Sequence, residues 1–104
     1  MSTTDTDIEL GMSAASQAFL KALASESRQQ LLLLFADGEA HTVGEVAERA
    51  EIGQSTASEQ LAILRRAGLL SASREGKTVS YRADRDRIAG QLEQLRDFLS
   101  GCCR

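Results

Sequence analysis

Between Gln54 and Gln60, six of seven side chains can hydrogen-bond: Gln54, Ser55, Thr56, Ser58, Glu59 and Gln60. A leucine stripe follows, then Arg65 and Arg66. Ser and Thr compete with the backbone for hydrogen bonds, so a helix built only for packing has little use for them in its first turns. Short hydroxyls and amides do suit a surface that approaches base edges closely, with guanidinium groups beyond them meeting phosphates. Arg74 and Lys77, in "REGKTVSYR", add two cations beside a glycine. Glu59 is the awkward member, because a carboxylate among phosphates costs energy unless it accepts from a cytosine amino group. The competing reading of the set is a solvated helix face.

Other reactive groups are few. Cys102 and Cys103 are neighbouring thiols, soft donors for a thiophilic centre. Two sulfurs alone do not complete a tetrahedral zinc site. His41, the single histidine, stands beside a capping box and reads as a surface loop residue rather than a ligand. There is no glycine-rich phosphate loop and no C-x-x-C, so the chain does not read as an enzyme. A thiol oxidoreductase using Cys102 and Cys103 is the best enzymatic alternative.

The elements that must carry these groups follow from periodicity and punctuation. Residues 1–11 are polar and unpatterned, a frayed tail. Met12, Ala15, Phe19 and Leu23 recur at helical spacing, giving a first helix. Ser25 caps a second, "ESRQQLLLLFADG", whose four leucines place it centrally in the core and which Gly38 ends. Thr42 and Glu45 form a capping box for a third helix, buried through Val43, Val46, Ala47 and Ala50. The fourth begins near Gln54, with Ala57, Leu61 and Leu64 inward; Ser55, Glu59, Ala62 and Arg66 lie opposite, and Thr56 and Ser58 flank them. After Gly68 the period becomes that of two short strands around Glu75-Gly76, a β-hairpin. Asp84 caps a last helix with Ile88, Leu92, Leu95 and Leu99 on one side, which Gly101 ends. The fold class is therefore mainly α (α+β): five helices with a two-stranded hairpin wing behind a helix-turn-helix. The division is a tail at 1–11, one domain at 12–101 and a cysteine-bearing tail at 102–104.

At 104 residues the chain makes one domain, and its net charge of −3 argues weakly against nucleic acid. The distribution argues the other way. Residues 1–53 carry three basic and nine acidic groups, whereas 54–82 carry five basic and two acidic. The longest apolar run, Leu31 to Ala36, is too short to span a bilayer, and no leader-like segment precedes it. With two adjacent cysteines and no disulfide framework, the expected setting is the cytoplasm.

"ALASESRQQLLLLFADGE", "TVGEVAERAEIGQSTASEQLAILRRAGLL" and "REGKTVSYR" resemble the ArsR/SmtB family of metalloregulatory repressors, over roughly residues 16–99. The resemblance implies a homodimer formed through the first and last helices that holds a promoter shut until an inducer binds. It also implies double-stranded DNA with an imperfect inverted repeat as the partner. The DNA-binding residues would be Gln54, Ser55, Thr56, Ser58, Glu59, Gln60, Arg65, Arg66, Arg74 and Lys77. The family's metal sites do not carry over. No thiol lies in "HTVGEVA", and Arg85, Arg87, Phe98 and Gly101 fall where the zinc-type ligands of the last helix would be. Leu33 stands at the second-helix position of the sulfide sensors' cysteine. No cofactor is required on this reading. For Cys102 and Cys103 three readings stand: a site for a trivalent arsenical inducer or other soft ligand, a redox switch, or an inert tail. A regulator without a ligand, or a winged-helix protein-interaction module, are the rival functions.

Overall fold

The computed structural model describes residues 12–102; the tail at 1–11, Cys103 and Arg104 lie outside the described residues. Helix α1 spans Ala14–Leu23, its first turn closed by Ser13 Oγ, which accepts from Ser16 N–H at 3.1 Å. Helix α2 spans Glu26–Leu33, capped by Ser25 as its sequence implies. The chain then tightens into successive i→i−3 turns and breaks at Gly38, whose φ of +78° suits glycine.

The four leucines at the end of α2 and its C-cap, Leu31 to Leu34, do not all go inward. Leu31 is buried, Leu32 and Leu34 are half-buried against the core, and Leu33 is 70% exposed. Four consecutive helical positions, at about 100° each, are spread over about 300° around the axis, so one must point away from any single core. A similar shift occurs in α1, where Ser16 rather than Ala15 takes the buried position beside Phe19. The Ser16 hydroxyl is satisfied there by donating to Gln91 Oε1 at 2.9 Å.

Thr42 and Glu45 form the expected capping box at the start of α3, Val43–Ala50. Thr42 Oγ1 accepts from Glu45 N–H at 3.2 Å and Glu45 Oε1 accepts from Thr42 N–H at 2.8 Å. Helix α4 spans Gln54–Arg66, with Ala57, Leu61 and Leu64 fully buried. Strands β2, Leu70–Glu75, and β3, Thr78–Ala83, form the hairpin in antiparallel register from Leu70↔Ala83 to Glu75↔Thr78. Its two-residue loop carries positive φ at Gly76, the first central position, as a type II′ turn requires.

The sheet has a third strand beyond the expected two. Residues His41–Thr42 form β1, which pairs antiparallel with β3 through His41↔Tyr81 and Thr42↔Ser80, giving the order β1-β3-β2. His41 is consequently not a surface loop residue. It is 7% exposed, sits edge-on to Phe35 with ring centroids 5.3 Å apart, and donates from Nε2 to Asp37 at 3.0 Å. The structural use of His41 is thus a pinned corner between the end of α2 and the wing.

Helix α5 spans Arg85–Cys102, with Asp84 accepting from Arg87 N–H in its first turn. Gly101 does not end it: the helix continues through Gly101 to Cys102. A glycine inside a helix costs only about 1 kcal/mol, too little to stop a long helix by itself. Ile88 and Leu95 pack on the core, while Leu92 and Leu99 remain 53% and 54% exposed. Among the described residues no helix is long and apolar enough to cross a membrane.

Candidate nucleic-acid interface

The turn between α3 and α4 is three residues, Glu51 to Gly53, and its geometry fixes the helix-turn-helix. Glu51 adopts the left-handed conformation at φ +57°, with Glu51 N–H bonding Glu48 C=O and Ile52 N–H bonding Ala47 C=O. Those two bonds are a Schellman motif, which closes the carbonyl end of α3 and aims the chain into α4. Helix α4 ends the same way. Gly68, at φ +85°, bonds Arg65 C=O, and buried Leu69 bonds Leu64 C=O. The chain therefore turns at Gly68 directly into the wing.

The outward side of α4 holds Gln54, Ser55, Ser58 and Glu59, all exposed. Together with Val43 from the first turn of α3 they line a shallow concavity. Gly53 precedes the helix without a side-chain cap, so the first-turn amides are left to an outside acceptor. Short polar side chains around open amides at a helix N-terminus are equipped to meet both base edges and a phosphate.

Thr56 and Gln60 do not join that face. Both line a separate groove bordered by α2 and the end of α3. The Gln60 amide is half-buried there, and its Oε1 accepts from Arg28 Nη1 at 3.1 Å. Arg65 and Arg66 are exposed but lie at the base of the wing, beside Ser71 and Arg87. Arg74 and Lys77 lie toward the opposite end of the hairpin, Lys77 in the two-residue turn itself. The ten residues thus divide into an exposed polar face, a flank turned to α2, and two cationic sites, one at each end of the wing.

Arg87 is a member of the wing-base cluster that sequence reasoning missed. It comes from the first turn of α5, with its guanidinium against Gly68, where an added Cβ would lie 3.2 Å from Nη2. No local signal marks it, since the approach is set by the packing of α5 against the turn after α4. Arg82, counted in the basic segment, is occupied structurally, donating from Nε to Gly38 C=O at 3.1 Å.

The soft-ligand pair is not assembled within the described residues. Cys102 is the last helical residue and Cys103 lies beyond them. Among the described residues no group of three or more His, Cys, Asp or Glu is placed to hold a metal ion.

Residues 23–71, from the end of α1 through the first residues of β2, match a family model for a helix-turn-helix domain. The chain is 40% identical over 83 residues to the transcriptional activator HlyU of Vibrio cholerae, an alignment covering 80% of this chain and 76% of the relative. The solved structure of HlyU superposes with a TM-score of 0.64 at 37% identity, covering 81% of this chain and 90% of that one. A biofilm growth-associated repressor of Agrobacterium fabrum is 41% identical over 76 residues, covering 73% of this chain and 64% of the relative. A homodimeric winged helix-turn-helix DNA-binding domain from Mycobacterium bovis, a possible ArsR-family transcriptional regulator, superposes with a TM-score of 0.65 at 28% identity. That alignment covers 93% of this chain and 87% of the other.

Proposed function

The chain belongs to the ArsR family of DNA-binding, winged helix-turn-helix transcriptional regulators, a family without enzymatic activity, and from that premise we propose that it is a homodimeric repressor released from its operator by an inducer. The observation that carries this reading is the exposed face of Gln54, Ser55, Ser58 and Glu59 on a helix held in the core by fully buried Ala57, Leu61 and Leu64. Ser55 and Ser58 read base edges, while Arg74 and Lys77 on the wing and Arg65, Arg66 and Arg87 at its base meet phosphates. Two copies joined through α1 and α5 present two such faces about 34–36 Å apart, one turn of DNA, so the operator is an imperfect inverted repeat. Exposed Leu20, Leu92 and Leu99 on those helices support the pairing, as does the homodimeric relative. The cytoplasm is the expected setting.

The relatives include both an activator and a repressor, and repression is the sign assigned here. A regulator that sits on its promoter and leaves needs no surface for contacting polymerase. The inducer reading places a trivalent arsenical or another thiophilic ligand on Cys102 and Cys103, at the end of the dimerising helix. Ligation there pulls on α5, alters the angle between protomers and misaligns the two reading faces. Redox pairing of these thiols across the dimer is the second reading, supported by the strain of a disulfide between neighbours.

The experiment is fluorescence anisotropy on a duplex from upstream of the protein's own gene, run over a range of salt. Tight binding that weakens steeply as salt rises supports the repressor. Salt-independent binding, or none, overturns it. Adding phenylarsine oxide to the wild type and to the Cys102→Ser/Cys103→Ser variant tests the inducer. Release from the wild type alone supports the thiol site, whereas equal release from both places the site elsewhere.

A further inference from the structure

A groove of about 470 Å³ runs between α2, the end of α3 and the flank of α4, on the side away from the reading face. Its floor is apolar, made by Leu31, Leu34, Ala50 and Ile52. Its rim carries two guanidinium groups, Arg28 and Arg49, and no carboxylate lines it. Arg28 donates only to neutral acceptors: Ala22 C=O at 2.9 Å, Lys21 C=O at 3.1 Å and Gln60 Oε1 at 3.1 Å. Arg49 is exposed and forms no ion pair among the described residues. Asp37 and Glu45 feel the Arg49 charge from a distance, but neither forms a salt bridge with it. An apolar trough of this size with two guanidinium groups at its edge, neither in a salt bridge among the described residues, has the chemistry of a small-molecule site, with a few polar groups fixing orientation. A carboxylate pairs with guanidinium in planar, two-point geometry, and the floor accepts an apolar body behind it.

We propose that this groove binds a small amphiphilic organic anion, a carboxylate on a short aliphatic or aromatic body, and that its occupancy weakens DNA binding. The coupling runs through Gln60. An anion between Arg28 and Arg49 competes for the Arg28 Nη1 donor and removes the bond that ties the flank of α4 to α2. It also adds negative charge beside a helix that must lie against phosphates. The binding step stands independently of the DNA reading; the regulatory step rests on it.

Octanoate is the probe, titrated into the free protein while the NMR signals of Leu34, Ala50, Ile52 and Thr56 are followed. The expected result is a saturable shift at these residues. Octanol lacks the charge and acetate lacks the body, so each binds at least about tenfold more weakly, the loss a charge-assisted hydrogen bond or a buried chain produces. Arg49→Gln, at an exposed position that leaves the core untouched, weakens octanoate by about tenfold. Operator affinity, measured with and without saturating octanoate, falls severalfold in the wild type and is unmoved by acetate. The site is overturned if octanoate gives no saturable shift, if octanol binds as well, or if Arg49→Gln changes nothing. It is equally overturned if Arg49→Gln weakens duplex binding while octanoate fails to bind, which assigns these arginines to DNA phosphates. Octanoate binding to a protein that holds no duplex leaves the site standing and sinks the DNA reading. Duplex binding without octanoate binding does the reverse.

Discussion

Asp37 accepts from Glu39 N–H at 2.8 Å and from His41 Nε2, and the backbone bond above all holds its carboxyl below the usual carboxylate range. Glu45 is lowered likewise, chiefly by Thr42 N–H. A carboxyl whose folded pKa is depressed contributes stability above its unfolded pKa, near 4, and loses it as pH falls through the lower folded value. Urea midpoints should therefore drop on acidification below about pH 4, and Asp37→Asn/Glu45→Gln should flatten that drop while lowering stability at neutral pH. A slope unchanged in the double variant would remove both groups from the account. On the outward polar face of α4, Glu59 is exposed and has no ion-pair partner among the described residues. Glu59→Gln is expected to raise duplex affinity for all sequences alike by relieving repulsion from phosphates. Competition against scrambled duplexes decides this, because loss of discrimination at one base pair would instead identify Glu59 as a cytosine reader. These outward residues were legible in sequence because a helix period assigns faces. Gln60, His41 and Arg87 were not, since each is positioned by a partner distant in the chain: Arg28, the wing strand and the turn at Gly68.

Two helix ends govern where α4 points, and they use different residues for one geometry. Both Glu51 and Gly68 are left-handed, at φ +57° and +85°, but only Gly68 lacks a Cβ. A left-handed L-residue costs roughly 1–2 kcal/mol, part of which returns as lower unfolded-state entropy than glycine has. Glu51→Gly is thus expected to stabilise by up to about 1 kcal/mol, and Gly68→Ala to destabilise by about 1–2 kcal/mol. Gly68→Ala also brings its Cβ within 3.2 Å of the Arg87 guanidinium, which must move. Chemical denaturation measures both changes, and a Glu51→Gly variant less stable than wild type would refute the argument from backbone conformation. Elements with strong local signals were readable in advance: the Thr42–Glu45 box, the Ser25 cap and the Gly76 turn. Strand β1 was not, because two residues carry no periodicity and His41–Thr42 become a strand only by pairing with β3. The end of α5 was overread from Gly101, where the favourable continuation of a long helix outweighs one glycine.

For the molecule as a whole, the apolar faces left over after folding determine what it joins. Leu92 and Leu99 lie seven residues apart on α5, two turns on one stripe, and both are about half exposed, while Leu95 between them and Ile88 before them are turned to the core. Leu20 on α1 is exposed as well, and α1 packs against α5. Fully burying a leucine contributes about 1.5–3 kcal/mol, and a two-fold interface counts every substitution twice. Leu92→Glu/Leu99→Glu places four carboxylates in such a seam and is expected to give monomers by analytical ultracentrifugation at micromolar concentration. The folded domain should survive, since neither side chain belongs to the buried core. Far-ultraviolet circular dichroism of the monomer checks this. A monomer retains its reading face but engages one half-site, so operator affinity should fall by orders of magnitude and its salt dependence should roughly halve with the number of phosphates met. If the double variant stays dimeric, the seam lies elsewhere on the surface, and exposed Leu33 on α2 becomes the next residue to charge. If it is monomeric yet binds the operator undiminished, a single reading face suffices and the inverted-repeat geometry is wrong.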